Sequence, residues 1–230
     1  MSSMSIVVPT YNEQENISTT INKLDRFISK IFKTYEIIAV DSNSTDKTPE
    51  IIAKLSKKLK NVRVINQAKR RGFGNGLREG YSHCRYELVW YMDADCPYEL
   101  DYLKHALPLI KNADAVIGYK IGKRESFQRW LFSKVYNWMV KLLFRLSYRD
   151  INFSFKLIKR DALRKLDLKS DKWFIDTEIL CELKRHGMDV KEIPIKYIFR
   201  EKGNSKVVIG AGIVTEMLKE MVGYMFRKKC

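Results

Sequence analysis

The chain has 230 residues, 45% of them hydrophobic and 30% charged, enough apolar material for one buried core, which excludes a disordered polyelectrolyte. Lys and Arg number 43 against 27 Asp and Glu, a formal net charge of +16 that points to an anionic partner: nucleic acid, an anionic membrane surface or a phosphorylated substrate. Cys84, Cys96, Cys181 and Cys230 show no CxxC spacing and His83, His105 and His186 are scattered, which argues against a zinc site and a disulfide framework.

Strand and helix alternate through the first half. Residues 5–10 read as a buried strand, and residues 13–32 carry Ile17, Ile21, Leu24, Ile28 and Ile31 at helical spacing, with Asn12 placed as the cap. A strand at 35–40, a helix at 46–59 and a short strand at 62–65 follow. The turn Gly72-Phe-Gly-Asn-Gly76 opens a helix running to about residue 84. A strand at 88–92, a helix at 99–110 and a strand at 113–118 complete the alternation. This order implies α/β architecture: a largely parallel sheet with helices on both faces and its ligand edge at the strand C-termini. The second half is less regular: a long helix at 127–146, a strand at 153–158, a helix at 176–186, a strand at 192–199 and a terminal amphipathic helix from 207. The expected organisation is one domain, 1–206, in two halves (1–118 and 119–206), with residues 207–230 as the C-terminal helix. No signal peptide, spanning segment or prenylation box is expected.

Asp93-Ala94-Asp95 follows an apolar strand. Two-residue spacing in extended backbone turns both carboxylates to one side, and such a pair suits Mg²⁺ or Mn²⁺ shared with substrate phosphates. Asp41 ends another strand, where it either accepts hydrogen bonds from a base or ribose or caps the next helix. Tyr11 and Glu13 close the first strand; a base contact competes with a simple helix-dipole role for Glu13. The Gly72/Gly74 turn lacks the third glycine of a dinucleotide fingerprint, since position 77 is Leu77. Residues 119–149 hold eight basic residues and one acid, interleaved with Trp130, Phe132, Tyr136, Trp138, Phe144 and Tyr148. That pattern fits a helix in a membrane interface, a core helix with snorkelling cations, or a single-strand nucleic-acid surface.

In order, Val8-Pro9-Thr10-Tyr11-Asn12-Glu13, Asp41-Ser-Asn-Ser-Thr-Asp46, Gly72-Phe-Gly74 and Asp93-Ala-Asp95 resemble the motifs of family 2 glycosyltransferases of the GT-A fold. Ser42 and Asn43 replace that family's usual Asp and Gly, and Pro97 stands where a polar residue often helps the metal. Arg129, Ser133 and Asn137, then Asp150 with Ser154-Phe155-Lys156, then Glu192-Ile-Pro194, then Arg200, Gly203, Ser205 and Lys206 resemble the dolichol-phosphate mannose synthases and their polyprenyl-phosphate relatives.

The resemblance implies a GT-A (Rossmann-like) sheet. It assigns nucleotide binding to Pro9, Tyr11, Glu13, Asp41 and Asp93, and Mg²⁺ or Mn²⁺ to Asp93 and Asp95. Catalytic work falls to Asp95, with Arg129, Ser133, Arg200 and Lys206 cradling phosphates. The implied activity is inverting, metal-dependent transfer of a hexose from a nucleotide sugar donor to dolichyl or another polyprenyl phosphate. Mannose from GDP-mannose is the first expectation and glucose from UDP-glucose the second. Expected contacts are a membrane surface, at whose cytoplasmic face the protein would sit peripherally, and a membrane-anchored partner protein. Rival expectations are a basic nucleic-acid-binding protein, although RRM, KH and zinc-finger signatures are missing, and an inactive nucleotide-sugar binder. No nucleic-acid partner is expected on the favoured view.

Overall fold

The computed structural model describes residues 3–122, 127–198 and 211–228, with backbone alone at 127–129 and 211. Its elements are β1 (Ser3–Thr10), α1 (Ile17–Ile28), β2 (Thr34–Asp41), α2 (Thr48–Lys58), β3 (Val62–Asn66), α3 (Phe73–Ser82), β4 (Leu88–Tyr91), α4 (Tyr102–Ile110), β5 (Ala115–Ile121), α5 (Phe127–Phe144), β6 (Lys156–Lys159), α6 (Arg160–Leu163), α7 (Ile175–Arg185), β7 (Val190–Lys196) and α8 (Ala211–Lys228). The seven strands form one sheet in the order β3-β2-β1-β4-β6-β5-β7. Strands β1, β2, β3 and β4 are mutually parallel and β7 is parallel to β5, while β6 runs antiparallel to both its neighbours.

The near-continuous apolar runs of β1 and β2 are buried on both faces, as a central parallel strand requires. One face carries Ile17, Ile21, Leu24 and Ile28 of α1 with Leu103 and Ala106 of α4. The other carries Leu77 of α3, Val140 of α5, Ile179 and Leu183 of α7, and Met221 and Tyr224 of α8. Thus α8 packs into the second core rather than standing apart from it.

Two expectations need correction. The first helix begins at Ile17, and Asn12 does not cap it. Asn12 has φ 53°, a left-handed backbone that breaks any helix there. Its side-chain oxygen instead accepts from the Thr45 N–H (2.8 Å), and its own N–H donates to Ser44 Oγ (2.9 Å), joining the loops after β1 and β2. The strand expected at 153–158 starts only at Lys156, and the short helix α6 was not foreseen. The sheet is mostly parallel, as expected; β6 alone runs the other way, filling the slot between β4 and β5 from the opposite end. Lys156, its first residue, pairs with Tyr91, the last residue of β4, and with Ile117 inside β5. Antiparallel entry therefore delivers residues 153–156 to the ligand edge.

The Gly-rich turn has two separate causes. Gly72 has φ +122°, open to glycine alone without strain. Gly74 lies on the backbone of the 170–172 segment: a Cβ there would stand 2.6 Å from the Ser170 carbonyl oxygen and 2.7 Å from that of Lys172. Gly74→Ala should therefore cost about 1–3 kcal/mol, the usual range for overpacking against atoms that cannot swing aside. A urea titration checks this, and an unchanged midpoint would show that the 170–172 segment yields freely.

Candidate active site

Strand order reverses between β1 and β4: from β1 the chain winds outward to β2 and β3, then returns to place β4 on β1's other side. A crevice opens at such a switch point, outside the strand C-termini. Register brings Thr10 beside Asp41, and the Thr10 and Val7 carbonyls accept the N–H groups of Ser42 (2.9 Å) and Met92 (3.0 Å). The loops carrying Pro9, Tyr11 and Glu13, then Asp41, then Asp93 and Asp95, therefore share one edge of three adjacent strands.

Asp41 is buried. Its Oδ2 accepts the Ser44 N–H at 3.1 Å, while Oδ1 has no hydrogen-bond partner among the described residues. A buried carboxylate oxygen without a donor is costly, and a base or ribose donor would satisfy it. Asn43, at φ 59°, occupies the left-handed conformation that asparagine tolerates better than most residues. Tyr11 has the Arg70 guanidinium 3.8 Å from its ring centroid, so the basic stretch before Gly72 reaches this edge. The buried Glu13 is braced by its neighbours: its N–H donates to Thr48 Oγ1 (2.8 Å) and its carboxylate accepts from Asn16 (2.9 Å).

Tyr91 donates its hydroxyl to Asp93 (2.5 Å), and Ser154, delivered by the antiparallel entry of β6, also bonds to Asp93. Desolvation first, then the negative charge of Asp95, push the Asp93 carboxyl up to about 7. A carboxylate pair so disfavoured in its charged form is a fit place for a divalent cation. Among the described residues no group of three His, Cys, Asp or Glu side chains could enclose a metal. The arrangement therefore suits an ion that takes its remaining ligands from a diphosphate and water, as Mg²⁺ and Mn²⁺ do, and not a structural Zn²⁺. Pro97 offers no side-chain ligand, but its carbonyl accepts the Ile198 N–H (2.7 Å), tying the segment after β7 to this turn.

Several residues of this site went unrecognised in the sequence. Asp176, in the first turn of α7, pairs its carboxylate with Lys156 Nζ at 2.6 Å, with both groups buried. The ammonium also donates to the Phe153 carbonyl (2.7 Å). Burial raises the Asp176 carboxyl and Lys156 opposes that rise; Asp176 in turn adds to the negative field on Asp93. The available signal was Asp176-Thr177-Glu178, three polar residues opening an apolar helix. It reads as ordinary helix-dipole compensation until burial is known. Tyr136 of α5 shares a hydrogen bond with Thr177 (2.7 Å), which joins the long basic-aromatic helix to this cluster.

The acceptor-side residues are placed less completely. Ser133 is exposed on α5, and its hydroxyl and carbonyl both accept from Asn137 (3.3 and 2.8 Å). Arg129 lies on α5 with only its backbone described, and Arg200 and Lys206 lie outside the described residues. Along α5 the side chains of Phe132, Val135, Trp138 and Leu142 are solvent-exposed, as are Leu218, Val222 and Phe226 on α8. No described helix is long and apolar enough to cross a membrane.

The family model described as glycosyl transferase family 2 matches residues 5–167. Glycosyltransferase AglD of Haloferax volcanii is 28% identical over 217 residues; the match covers 89% of this chain, which spans only about a third (34%) of that relative. Dolichyl-phosphate beta-glucosyltransferase ALG5A of Trichomonas vaginalis is 30% identical over 236 residues, covering 94% of this chain and 72% of the relative. Among solved structures, glucosyl-3-phosphoglycerate synthase from Mycobacterium tuberculosis, in complex with Mn²⁺, UDP and phosphoglyceric acid, superposes with a TM-score of 0.73. Its sequence is 18% identical, and the match covers 96% of this chain and 76% of the other. S. aureus TarS 1–349 in complex with UDP-GlcNAc gives 0.66 at 19% identity, covering 98% and 67%. These two likenesses establish the GT-A fold.

Proposed function

The chain belongs to glycosyl transferase family 2, and from that premise we propose that it moves a hexose from a nucleotide sugar to a polyprenyl phosphate, with dolichyl phosphate as acceptor and inversion at C1. The observation that carries this is the junction of two surfaces. Tyr136 bonds Thr177, the neighbour of the buried Asp176 at Asp93, so the exposed basic-aromatic helix α5 adjoins the carboxylate edge. A lipid phosphate would approach along the first surface, a nucleotide diphosphate along the second.

On this reading Asp41 accepts a donor from the base or ribose through Oδ1, and Tyr11 with Arg70 flanks the nucleotide. Asp93 and Asp95 hold a divalent cation, which when bound supplies neutralisation of charge on the departing diphosphate. The acceptor phosphate, with a second pKa of about 6, is already a dianion near neutral pH. One of its oxygens attacks C1 from the face opposite the nucleotide. The C1–O bond to the diphosphate breaks with its electron pair leaving on the nucleotide, so no side chain need remove a proton. Arg129, Ser133, Arg200 and Lys206 would orient the attacking phosphate.

Two relatives bear the name dolichyl-phosphate beta-glucosyltransferase, which supports UDP-glucose as the donor over the first expectation, GDP-mannose. Exposed apolar residues on α5 and α8, with the surplus of positive charge, support peripheral attachment to an anionic cytoplasmic leaflet. The test is incubation with dolichyl phosphate, Mn²⁺ or Mg²⁺, and labelled UDP-glucose or GDP-mannose. Labelled lipid from UDP-glucose is expected. Label from GDP-mannose alone would reverse the donor assignment, and none from any nucleotide sugar would remove the activity. Arg129→Ala should lower transfer about 100-fold while leaving nucleotide binding within twofold. Equal losses in both would move Arg129 to the donor side.

A further inference from the structure

The segment 167–174 has almost no regular structure, yet glutamates hold most of its backbone donors. Glu182 accepts the N–H of Asp167, and Glu178 those of Lys169 and Ser170. Glu220, on α8 nearly fifty residues away, accepts three more: those of Asp171 (2.8 Å), Lys172 (2.9 Å) and Phe174 (3.2 Å). These three amides surround Trp173, whose ring stacks on Phe73 with centroids 5.3 Å apart and planes 12° apart. Phe73 rests against Tyr91 (5.9 Å), and Tyr91 donates to Asp93. From the same segment the Asp171 carbonyl accepts the Asn75 N–H (2.9 Å) at the start of α3.

We propose that Glu220 is a positioning residue for the donor site. By gripping the backbone on both sides of Trp173 it holds the Trp173–Phe73–Tyr91 stack against Asp93 and seats the Gly72–Gly76 turn. The inner side of α8 is thus part of the active-site scaffold and not only a cover for the core. This inference rests on the donor-site reading above.

The carboxylate is needed because two of its oxygens serve three N–H groups. Glu220→Gln keeps the shape but turns an amide N–H₂ toward a backbone donor, removing at least one of the three bonds. Two measurements on the full chain test the relay. In the ligand-free protein, Glu220→Gln should speed amide hydrogen exchange at residues 171–174 and 72–76 by tenfold or more. In titrations with Mn²⁺ plus UDP, and Mn²⁺ plus GDP, it should weaken whichever nucleotide the wild type binds about tenfold, with the melting temperature falling by only a few degrees. Glu216→Gln, which loses a half-exposed pair with Lys172, should leave affinity within twofold. Trp173→Leu should reproduce the affinity loss with the clamp intact, and combining it with Glu220→Gln should add nothing further. Should Glu220→Gln fail to fold, Trp173→Leu carries the test alone.

Unchanged affinity in either folded variant overturns the relay, as do defects that multiply in the double variant. A wild type that binds neither nucleotide overturns the donor site and this inference together. Normal wild-type binding with unaltered variants overturns the relay alone.

Discussion

Asp93→Asn should abolish hexose transfer to within about a thousandth of the wild-type rate, yet make the metal-free protein more stable at neutral pH. The loss follows from removing a charged ligand where negative charge develops on the leaving diphosphate. The gain follows from the environment. Asp93 is raised from 3.8 to about 7, chiefly by desolvation and then by Asp95, so between those values the native state holds a proton that the unfolded chain has released. Stability contributed by that bound proton is present at low pH and lost as pH rises from about 4 to about 7, by a few kcal/mol at most. Melting curves in EDTA from pH 4 to 8 should therefore fall for the wild type and flatten for Asp93→Asn. A variant that keeps a tenth of the activity, or tracks the wild-type pH profile, would remove Asp93 from the donor site.

Lys156→Met is expected to be the most damaging single change to folding. The ammonium is buried and meets the Asp176 carboxylate at 2.6 Å and the Phe153 carbonyl at 2.7 Å. Its loss leaves Asp176 buried without its cation, and the charge of Asp176 also bears on Asp93. Breaking a buried pair from one side costs about 3–5 kcal/mol, because the surviving charge keeps its desolvation penalty and loses its partner. Lys156→Met with Asp176→Leu should recover most of that loss, since two apolar groups of similar volume need no solvation. Denaturant titrations of the two variants decide it. A single variant within 1 kcal/mol of wild type would mean that water reaches Asp176. A double variant as unstable as the single would mean that packing, not charge, sets the cost.

The first half of the molecule was readable because its signals are local. The apolar spacing Ile17, Ile21, Leu24, Ile28 can only be one face of a helix, and the unbroken apolar runs of β1 and β2 suit strands covered on both sides. Asp93 and Asp95 were recognisable because they directly follow such a strand, which puts them at its mouth whatever the neighbours are. Asn12 misled because residue type alone does not reveal a left-handed backbone, and the partners that hold it there, Ser44 and Thr45, are more than thirty residues away. Asp176 carries no local signal, because an acid in a helix's first turn is ordinarily solvated; only burial against Lys156 makes it part of the site.

By itself, then, the amino-acid order determined the alternation of strands and helices, the carboxylates at strand ends, and the likeness to sugar-transfer enzymes. The first two depend on the chemistry of residues adjacent or one helical turn apart, and the likeness on short local motifs taken in chain order. Only the tertiary structure decided that β6 runs backward, bringing Ser154 to Asp93 and Lys156 to Asp176, and that α8 reaches the segment behind the Gly-rich turn through Glu220. Those contacts join residues some twenty to sixty-five apart, and their worth comes from exclusion of water, a property of the assembled core that no stretch of chain possesses alone.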